Sequence, residues 1–476
     1  MNANQSASAP IPRLIALIVA GAMFMAQLDS TVVMLALPQM AASFGIQPVD
    51  LSIGVTIYIL VQAVFLPSAS WVADRFGARR VFAAALIGFT VASILCALSE
   101  SLVEFVAARV LQGMAAAWMT PVGRIVMLQA TPKENLVNVI TITTIPMLLA
   151  PTLGPPLGGF VTTFLSWHWI FLLNVPFGLA GVLLVLRYIP ASSEAQRRPF
   201  DVFGFLTFGA AVSAVLYGMD RVSAGGGTGS IPAALIVAGL ACGFVAVRHL
   251  ARHPHPVISL ASLRIPTYSI ATIGGGAFAR LPLRALPFIL PLFFQIVFEL
   301  SAFETGLLLL ALNGADLVLK PLVGRTLKRF GFRTVMLATG VLSALSVAAC
   351  AAFAPDSPMW VICAVLLASG MFRSILFSAL GSIAFADVPK DQIGSASVLW
   401  NVVIQVTNAL AVSCSVILLN LSTVLGGEKD VPTLVDFQVT LLALAALGLG
   451  AAFTFRRLPP DAAAHVSGHR SAGSGA

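Results

Sequence analysis

Long apolar runs alternate with short polar segments along the chain. A helix needs about 20 mostly apolar residues to cross a hydrocarbon core of ~30 Å. Fourteen segments meet this requirement, and we predict that each forms one transmembrane helix. They lie near residues 14–37, 51–72, 81–99, 102–130, 137–164, 169–188, 202–219, 231–247, 267–297, 302–322, 334–354, 359–386, 392–419 and 436–455.

The composition agrees with this pattern. Of the 476 residues, 58% are hydrophobic and 10% are charged, whereas soluble proteins carry about a quarter charged residues. So few charges exclude a soluble globular enzyme, and we predict an all-α integral membrane protein. The first apolar segment is too long for a signal-peptide core, so we expect it to be retained as the first span.

The basic residues predict the orientation of the spans. They recur in short clusters between apolar runs and form no continuous stripe, which argues against a nucleic-acid partner. If the N-terminus is cytoplasmic, nineteen basic residues fall in cytoplasmic segments and only Arg221 and Lys429 fall outside. This asymmetry follows the positive-inside rule. It predicts an inner (plasma) membrane protein with both termini in the cytoplasm.

A short repeat divides the chain. The sequence RFGAR at 75–79 follows the second predicted span, and RFGFR at 329–333 follows the tenth. We therefore predict two repeated six-helix bundles separated by an insert. The expected divisions are a cytoplasmic N-terminus at 1–13, a first bundle at 14–188, a linker with two inserted helices at 189–266, a second bundle at 267–457 and a disordered cytoplasmic tail at 458–476.

Several chemistries have no sequence support. No lysine follows a glycine, so a GxxxxGK[ST] phosphate loop is absent. The five cysteines show no CxxC spacing, and the histidines at 249, 253 and 255, interpreted as a cytoplasmic loop cluster, have no acid or cysteine beside them. We predict no cofactor, no metal site and no enzyme activity. Many spans with internal repeats are typical of secondary transporters.

Five segments carry a family resemblance. They are LDST with ALP in helix 1 (28–31, 36–38), ADRFGARR after helix 2 (73–80), RVLQG in helix 4 (109–113), GPPLGG in helix 5 (154–159), and WHWIF with Asn174, Pro176 and Gly178 at helix 6. In this order they resemble the 14-helix drug:proton antiporter branch of the major facilitator superfamily, the EmrB/QacA type. Ser70, Thr141 and Ala150 depart from the glycines usual in these motifs.

The resemblance implies two six-helix bundles that alternate access and exchange protons for exported small molecules. It also implies gating by the loop after helix 2 and by helix 5, where the GPxxGG motif accompanies antiport. Two simpler interpretations are that the loop arginines only set topology and that the helix 5 glycines only pack. The implied gating residues are Asp74, Arg75, Gly77, Arg79, Gly154, Pro155, Gly158 and Gly159.

Asp29 and Arg109 lie at similar predicted depths in helices 1 and 4. A lone charge at mid-membrane costs ~2.5 to 3.5 kcal/mol, so we expect the two side chains to face each other or a cavity. They form either a static ion pair or a proton-coupling site. In the second case Asp29 carries the proton, while Arg109 and Gln112 adjust how readily it binds.

Six basic residues lie within spans, against two deep acids, Asp29 and Asp316. This excess favours an anionic or zwitterionic cargo, unless some arginines bond backbone carbonyls at proline-broken turns. Lys320 either pairs with Asp316 or extends to the membrane edge. The candidate cavity residues, some of which alternatively form interhelical hydrogen bonds, are Tyr58, Gln62, Arg280, Arg284, Arg373, Asn401, Gln405 and Asn408.

The favoured function is proton-coupled export of small amphipathic or anionic compounds. Symport-driven uptake of an anionic metabolite and a non-transporting membrane receptor are the alternatives. The predicted partners are a small-molecule substrate, protons and the lipid bilayer, and nothing in the sequence identifies a periplasmic adaptor.

Overall fold

The computed structural model describes residues 10–48, 50–131, 136–190, 199–223, 230–389, 392–427, 431–459 and 462–463. The helices in these residues are α1 Pro10–Phe44, α2 Ser52–Phe65, α3 Ala69–Phe76, α4 Ala78–Ala97, α5 Leu102–Gln129, α6 Leu136–Phe164, α7 His168–Leu172, α8 Asn174–Tyr188, α9 Val202–Ser223, α10 Ser230–Leu250, α11 Pro266–Thr272, α12 Gly275–Ile296, α13 Ala302–Cys350, α14 Met359–Ala386, α15 Ile393–Leu425 and α16 Leu434–Phe453.

The all-helical membrane fold is confirmed. Each predicted span falls on helix, and in the described part of the chain twelve helices are long and apolar enough to cross a membrane. The predicted spans at 137–164 and 302–322 are helical but are not among those twelve. The count of fourteen therefore stays a prediction.

Three predicted spans are each divided between two helices, which corrects the sequence interpretation. In the span at 169–188, Leu173 separates α7 from α8. The span at 51–72 is interrupted by the 3-10 turn Leu66–Ser68, where Pro67 has no backbone N–H to donate. The span at 267–297 breaks after α11, and α12 begins beyond Gly274, whose φ of −68° and ψ of −134° are not helical. The breaks at Pro67 and Gly274 leave backbone carbonyl groups without an N–H donor from their own helix.

The repeated RFG sequences form the same local backbone feature. Gly77 joins α3 to α4 with a φ of +88°, and Gly331 interrupts α13 with a φ of +72°. A positive φ costs other residues energy because the Cβ meets the following carbonyl oxygen. Long α13 is therefore two helices joined across Gly331, as the separate predictions at 302–322 and 334–354 require.

Residues 1–202 form one compact unit, in which α1 packs on α5, α6 and α8, and α4 packs on α5 and α8. Glycines bring these helices close together. A Cβ on Gly154 would lie 2.1 Å from Thr31 Oγ1, and one on Gly113 would lie 2.6 Å from the Tyr58 carbonyl oxygen. Small residues allow such close approach between membrane helices.

Residues 203–476 form the second compact unit, in which α12 packs on α13, α15 and α16 while α13 packs on α14. A Cβ on Gly370 of α14 would lie 2.0 Å from the Leu312 carbonyl oxygen of α13. His249 belongs to the last turn of α10 rather than to the predicted loop, and its ring lies 5.0 Å from that of His253. The five-part division of the chain remains a prediction.

Candidate functional site

Asp29 lies in the middle of α1 and is buried, with 2% of its surface exposed. Three side-chain donors surround its carboxylate. Arg109 Nη1 donates to Oδ2 at 2.8 Å, and Gln112 Nε2 and Asn174 Nδ2 each donate to Oδ1 at 2.9 Å. The carboxylate therefore links α1 to α5 and α8.

Arg109 is 1% exposed, and its contacts explain how a guanidinium is accommodated there. Besides Asp29, its Nη1 donates to Gln112 Oε1 at 2.5 Å and its Nε donates to the Gly54 carbonyl at 3.2 Å. The guanidinium carbon lies 4.0 Å from the centre of the Tyr58 ring. A cation over an aromatic face is stabilised by the ring quadrupole.

Ser93 of α4 completes the group, which we call the Asp29 cluster: Asp29, Tyr58, Ser93, Arg109, Gln112 and Asn174. Ser93 Oγ accepts hydrogen bonds from Gln112 Nε2 at 2.9 Å and from Asn174 Nδ2 at 3.3 Å. The amides are thus held while they bind the carboxylate. Three helices, α4, α5 and α8, supply polar side chains to the carboxylate or its partners, and α2 supplies the Gly54 carbonyl and the Tyr58 ring.

The sequence did not place Ser93 or Asn174 in this site. Asn174 belongs to the helix 6 motif, which was its signal in the sequence. It lies 145 positions from Asp29, so the sequence did not predict the hydrogen bond between them. Ser93 gave no signal, since a single serine in an apolar span is common. Tyr58 was grouped with Gln62 as a cavity wall, yet its ring lies against Arg109.

The charges of Asp29 and Arg109 cancel within the cluster. A buried ion pair offsets its desolvation cost only if the geometry is good and further hydrogen bonds satisfy the remaining atoms. Both conditions hold here. The ion pair and the two amides therefore hold α1 against α5 and α8, and the proton-coupling role of Asp29 stays a prediction.

The predicted gating residues occupy two places in the first unit. The predicted loop after helix 2 is helical on both sides of Gly77, which corrects the sequence interpretation. Arg79, in the first turn of α4, donates a hydrogen bond to the Leu186 carbonyl near the end of α8, while Arg75, in the last turn of α3, is exposed. Asp74 is half-buried and makes no hydrogen bond or ion pair with any residue that the structure describes.

In α6 the predicted gating residues Gly154, Pro155, Gly158 and Gly159 are all buried. Gly154 faces Thr31, and a Cβ on Gly158 would lie 2.8 Å from Val32 Cγ1. Gly154 and Gly158 of α6, the predicted helix 5, therefore pack against the residues of α1 that lie just after Asp29. The close packing expected of them is present, and their gating role stays a prediction.

The cations of the second unit have different surroundings. Arg373 Nη2 donates to Asn313 Oδ1 at 2.9 Å and to the Leu312 carbonyl at 3.3 Å, so it links α14 to α13. Arg280 donates to the Ala271 carbonyl at 3.0 Å. Half-buried Arg284 lies 4.9 Å from the centre of the Phe377 ring. The simpler interpretation is that these arginines bind backbone carbonyls. Arg373 and the Nη2 atom of Arg280 do so, and Nη1 of Arg280 does not.

The predicted polar face of α15 forms bonds within its own helix. Exposed Asn401 donates to the Ser397 carbonyl at 2.9 Å, and Asn408 donates to Gln405 Oε1 at 3.1 Å. Gln62 of α2 is half-buried. The side chains of Asp316 and Lys320, which the sequence suggests as a pair, lie outside the described residues.

Sequence comparison gives two findings. The family model of the Major Facilitator Superfamily matches residues 19–411 and 272–475. A putative multidrug resistance protein MdtD of Serratia proteamaculans is 34% identical over 459 residues, covering 96% of each chain. The MdtD protein of Pectobacterium atrosepticum is 34% identical over 450 residues, covering 93% of this chain and 95% of its own.

Solved structures share the fold. A POT family transporter in complex with a thioalcohol-conjugated peptide superposes with a TM-score of 0.68 at 14% identity, covering 92% of this chain and 94% of its own. A bacterial homologue of the human lysosomal transporter Spinster gives a TM-score of 0.63 at 14% identity, covering 98% and 100%.

Proposed function

The chain belongs to the major facilitator superfamily, and from this premise we propose that it is a proton-coupled multidrug efflux transporter of the inner membrane. It would export small amphipathic compounds by alternating access, with both termini in the cytoplasm. The relatives named as multidrug resistance proteins support the direction and the type of cargo.

The single observation that carries the proton coupling is the set of contacts around Asp29. The carboxylate is buried among three donors from α5 and α8, which stabilise its negative charge. When it binds a proton, that charge is lost and the three hydrogen bonds weaken. Proton uptake and the packing of α1 against its neighbours are therefore linked. A transporter needs this link, because the proton must change which conformation is favoured.

The glycines of α6 give this change a mechanical route. Gly154 and Gly158 contact Thr31 and Val32, the residues that follow Asp29 and Ser30 in α1. Packed helices shift between discrete arrangements rather than deforming continuously. A movement of α1 caused by protonation is therefore transmitted to α6 at these glycines.

The test uses inverted membrane vesicles with respiration-driven internal acidification and a pH-sensitive dye. Adding ethidium, an amphipathic cation, should dissipate the proton gradient in vesicles with the parent protein and accumulate ethidium inside. A protonophore should stop the accumulation. Uptake into right-side-out vesicles with the proton would instead show symport, and absence of any gradient-driven movement across a broad compound set would show a receptor.

A further inference from the structure

Arg280 is buried in the second unit, with 3% of its surface exposed, beside the break between α11 and α12. One nitrogen, Nη2, donates to the carbonyl of Ala271, which lies near the end of α11. A helix end leaves such carbonyls without helical donors, so this bond satisfies one of them. The break explains why one end of the guanidinium is held.

The other terminal nitrogen of the guanidinium, Nη1, has different surroundings. It is buried and has no hydrogen-bond partner among the residues that the structure describes. No carboxylate of those residues pairs with Arg280, and Arg284 one turn further along α12 adds a second positive charge. A buried cation without a counter-charge is costly in a membrane.

The surroundings of Arg280 are aromatic. Its guanidinium carbon lies 4.2 Å from the centre of the Trp400 ring of α15. The Phe385 ring lies 5.7 Å from Trp400 and 6.0 Å from Tyr268, whose hydroxyl is already bonded to the Ala396 carbonyl. Trp400, on which the guanidinium lies, is thus part of a group of neighbouring aromatic rings.

We propose that Arg280 and Trp400 form a binding site for the carboxylate of an amphipathic organic acid. The guanidinium face lies on the indole, so the N–H groups of Nη1 at its edge remain available to carboxylate oxygens. The aromatic rings favour an acid with an apolar body over a small inorganic anion. The inference rests on the proposed function only in taking this site as a substrate site.

The test measures binding without a proton gradient. Purified full-length protein in detergent is titrated by calorimetry with 2-naphthoate and with 2-naphthamide, which has the same rings and no charge. The parent should bind naphthoate at least tenfold more tightly. Arg280→Gln, which keeps a donor for Ala271, should weaken naphthoate binding about tenfold, or 1.4 kcal/mol, and change naphthamide binding less than twofold.

Three further variants sharpen the result. Arg280→Lys should recover only part of the naphthoate affinity, because an ammonium lacks the planar fork. Trp400→Leu should weaken both compounds and preserve the preference for naphthoate, which provides a test even if Arg280→Gln does not fold. Arg325→Gln removes the same charge from an exposed position and should change neither affinity.

Equal binding of both compounds by the parent would overturn the inference. So would an equal loss for both in Arg280→Gln, since that would mark Arg280 as a structural link to Ala271. Because no gradient is used, the two proposals can fail separately. Naphthoate preference without any export overturns the proposed function alone, and ethidium export without naphthoate preference overturns this inference alone.

Discussion

Asn174 Nδ2 donates a hydrogen bond of 2.9 Å to Asp29 Oδ1, across 145 positions of sequence. The bond ties the first turn of α8 to the middle of α1. With Gln112 on the same oxygen, it leaves the Asp29 carboxylate held from two helices in addition to its ion pair with Arg109. Substitutions at Asp29, Asn174 and Gly154 test the consequences of this and the neighbouring contacts.

Asp29→Asn should abolish proton-coupled export while the protein still inserts. An amide does not bind and release a proton as a carboxylate does, so adding ethidium to energised inverted vesicles should no longer dissipate the acid interior. Arg109 loses its buried counter-charge, which typically costs ~3 to 5 kcal/mol, so the melting temperature should also fall. Asp50→Asn changes an exposed carboxylate and serves as the control. A dye response equal to that of the parent would assign the proton to another residue.

Asn174→Ala should lower the free energy of unfolding by about 1 to 3 kcal/mol, because it removes a hydrogen bond to a buried carboxylate. Thermal melting in detergent measures this change. Asn401→Ala is the matched control, since Asn401 is exposed and its amide bonds to its own helix at Ser397. If both variants melt at the same temperature, Asn174 contributes nothing to the stability of the cluster.

Gly154→Ala should impair both folding stability and export. The added Cβ would lie 2.1 Å from Thr31 Oγ1, and overpacking of this kind costs ~1 to 3 kcal/mol. Melting temperature and ethidium accumulation report the two effects. Gly21→Ala introduces the same methyl group where no heavy atom lies within 4 Å, so it should behave like the parent. Unchanged behaviour of Gly154→Ala would mean that α1 and α6 separate freely.

The topology prediction concerns which positions face the periplasm. Single cysteines at 221 and 429 should react with an impermeant thiol reagent applied to intact cells, and cysteines at 197 and 329 should not. The background must lack the five native cysteines, three of which are only half-buried. Labelling of position 329 from outside would overturn the fourteen-helix arrangement.

Apolar length was sufficient to predict where the helices lie, because it records how a chain crosses the hydrocarbon core. The orientation inferred from charge bias stays a prediction. Apolar length did not predict the breaks near Pro67 and Gly274, since an interrupted span remains as apolar as a continuous one. The separate apolar segments at 302–322 and 334–354 did predict that α13 is two helices, and Gly331, with its φ of +72°, lies between them.

Counting residues from the ends of the predicted helices placed Asp29 and Arg109 at similar depths in the membrane. In the structure Arg109 Nη1 lies 2.8 Å from Asp29 Oδ2. The partners Ser93 and Asn174 could not be found in this way. Their positions depend on the rotation of α4 and α8 about their own axes, which is set by side-chain packing rather than by hydropathy. The same limit applies to Arg280, whose bond to Ala271 exists only because the span breaks there.

Gly77 and Gly331 also bear on how the gene has changed over time. Each adopts a positive φ in an RFG sequence, and any other residue there would cost ~1 to 2 kcal/mol. The following residue is Ala78 in one copy and Phe332 in the other, so it has diverged while the glycine has not. If one ancestral segment was duplicated, the positive φ gives a physical reason why the glycine, among the residues that the two copies share, was retained.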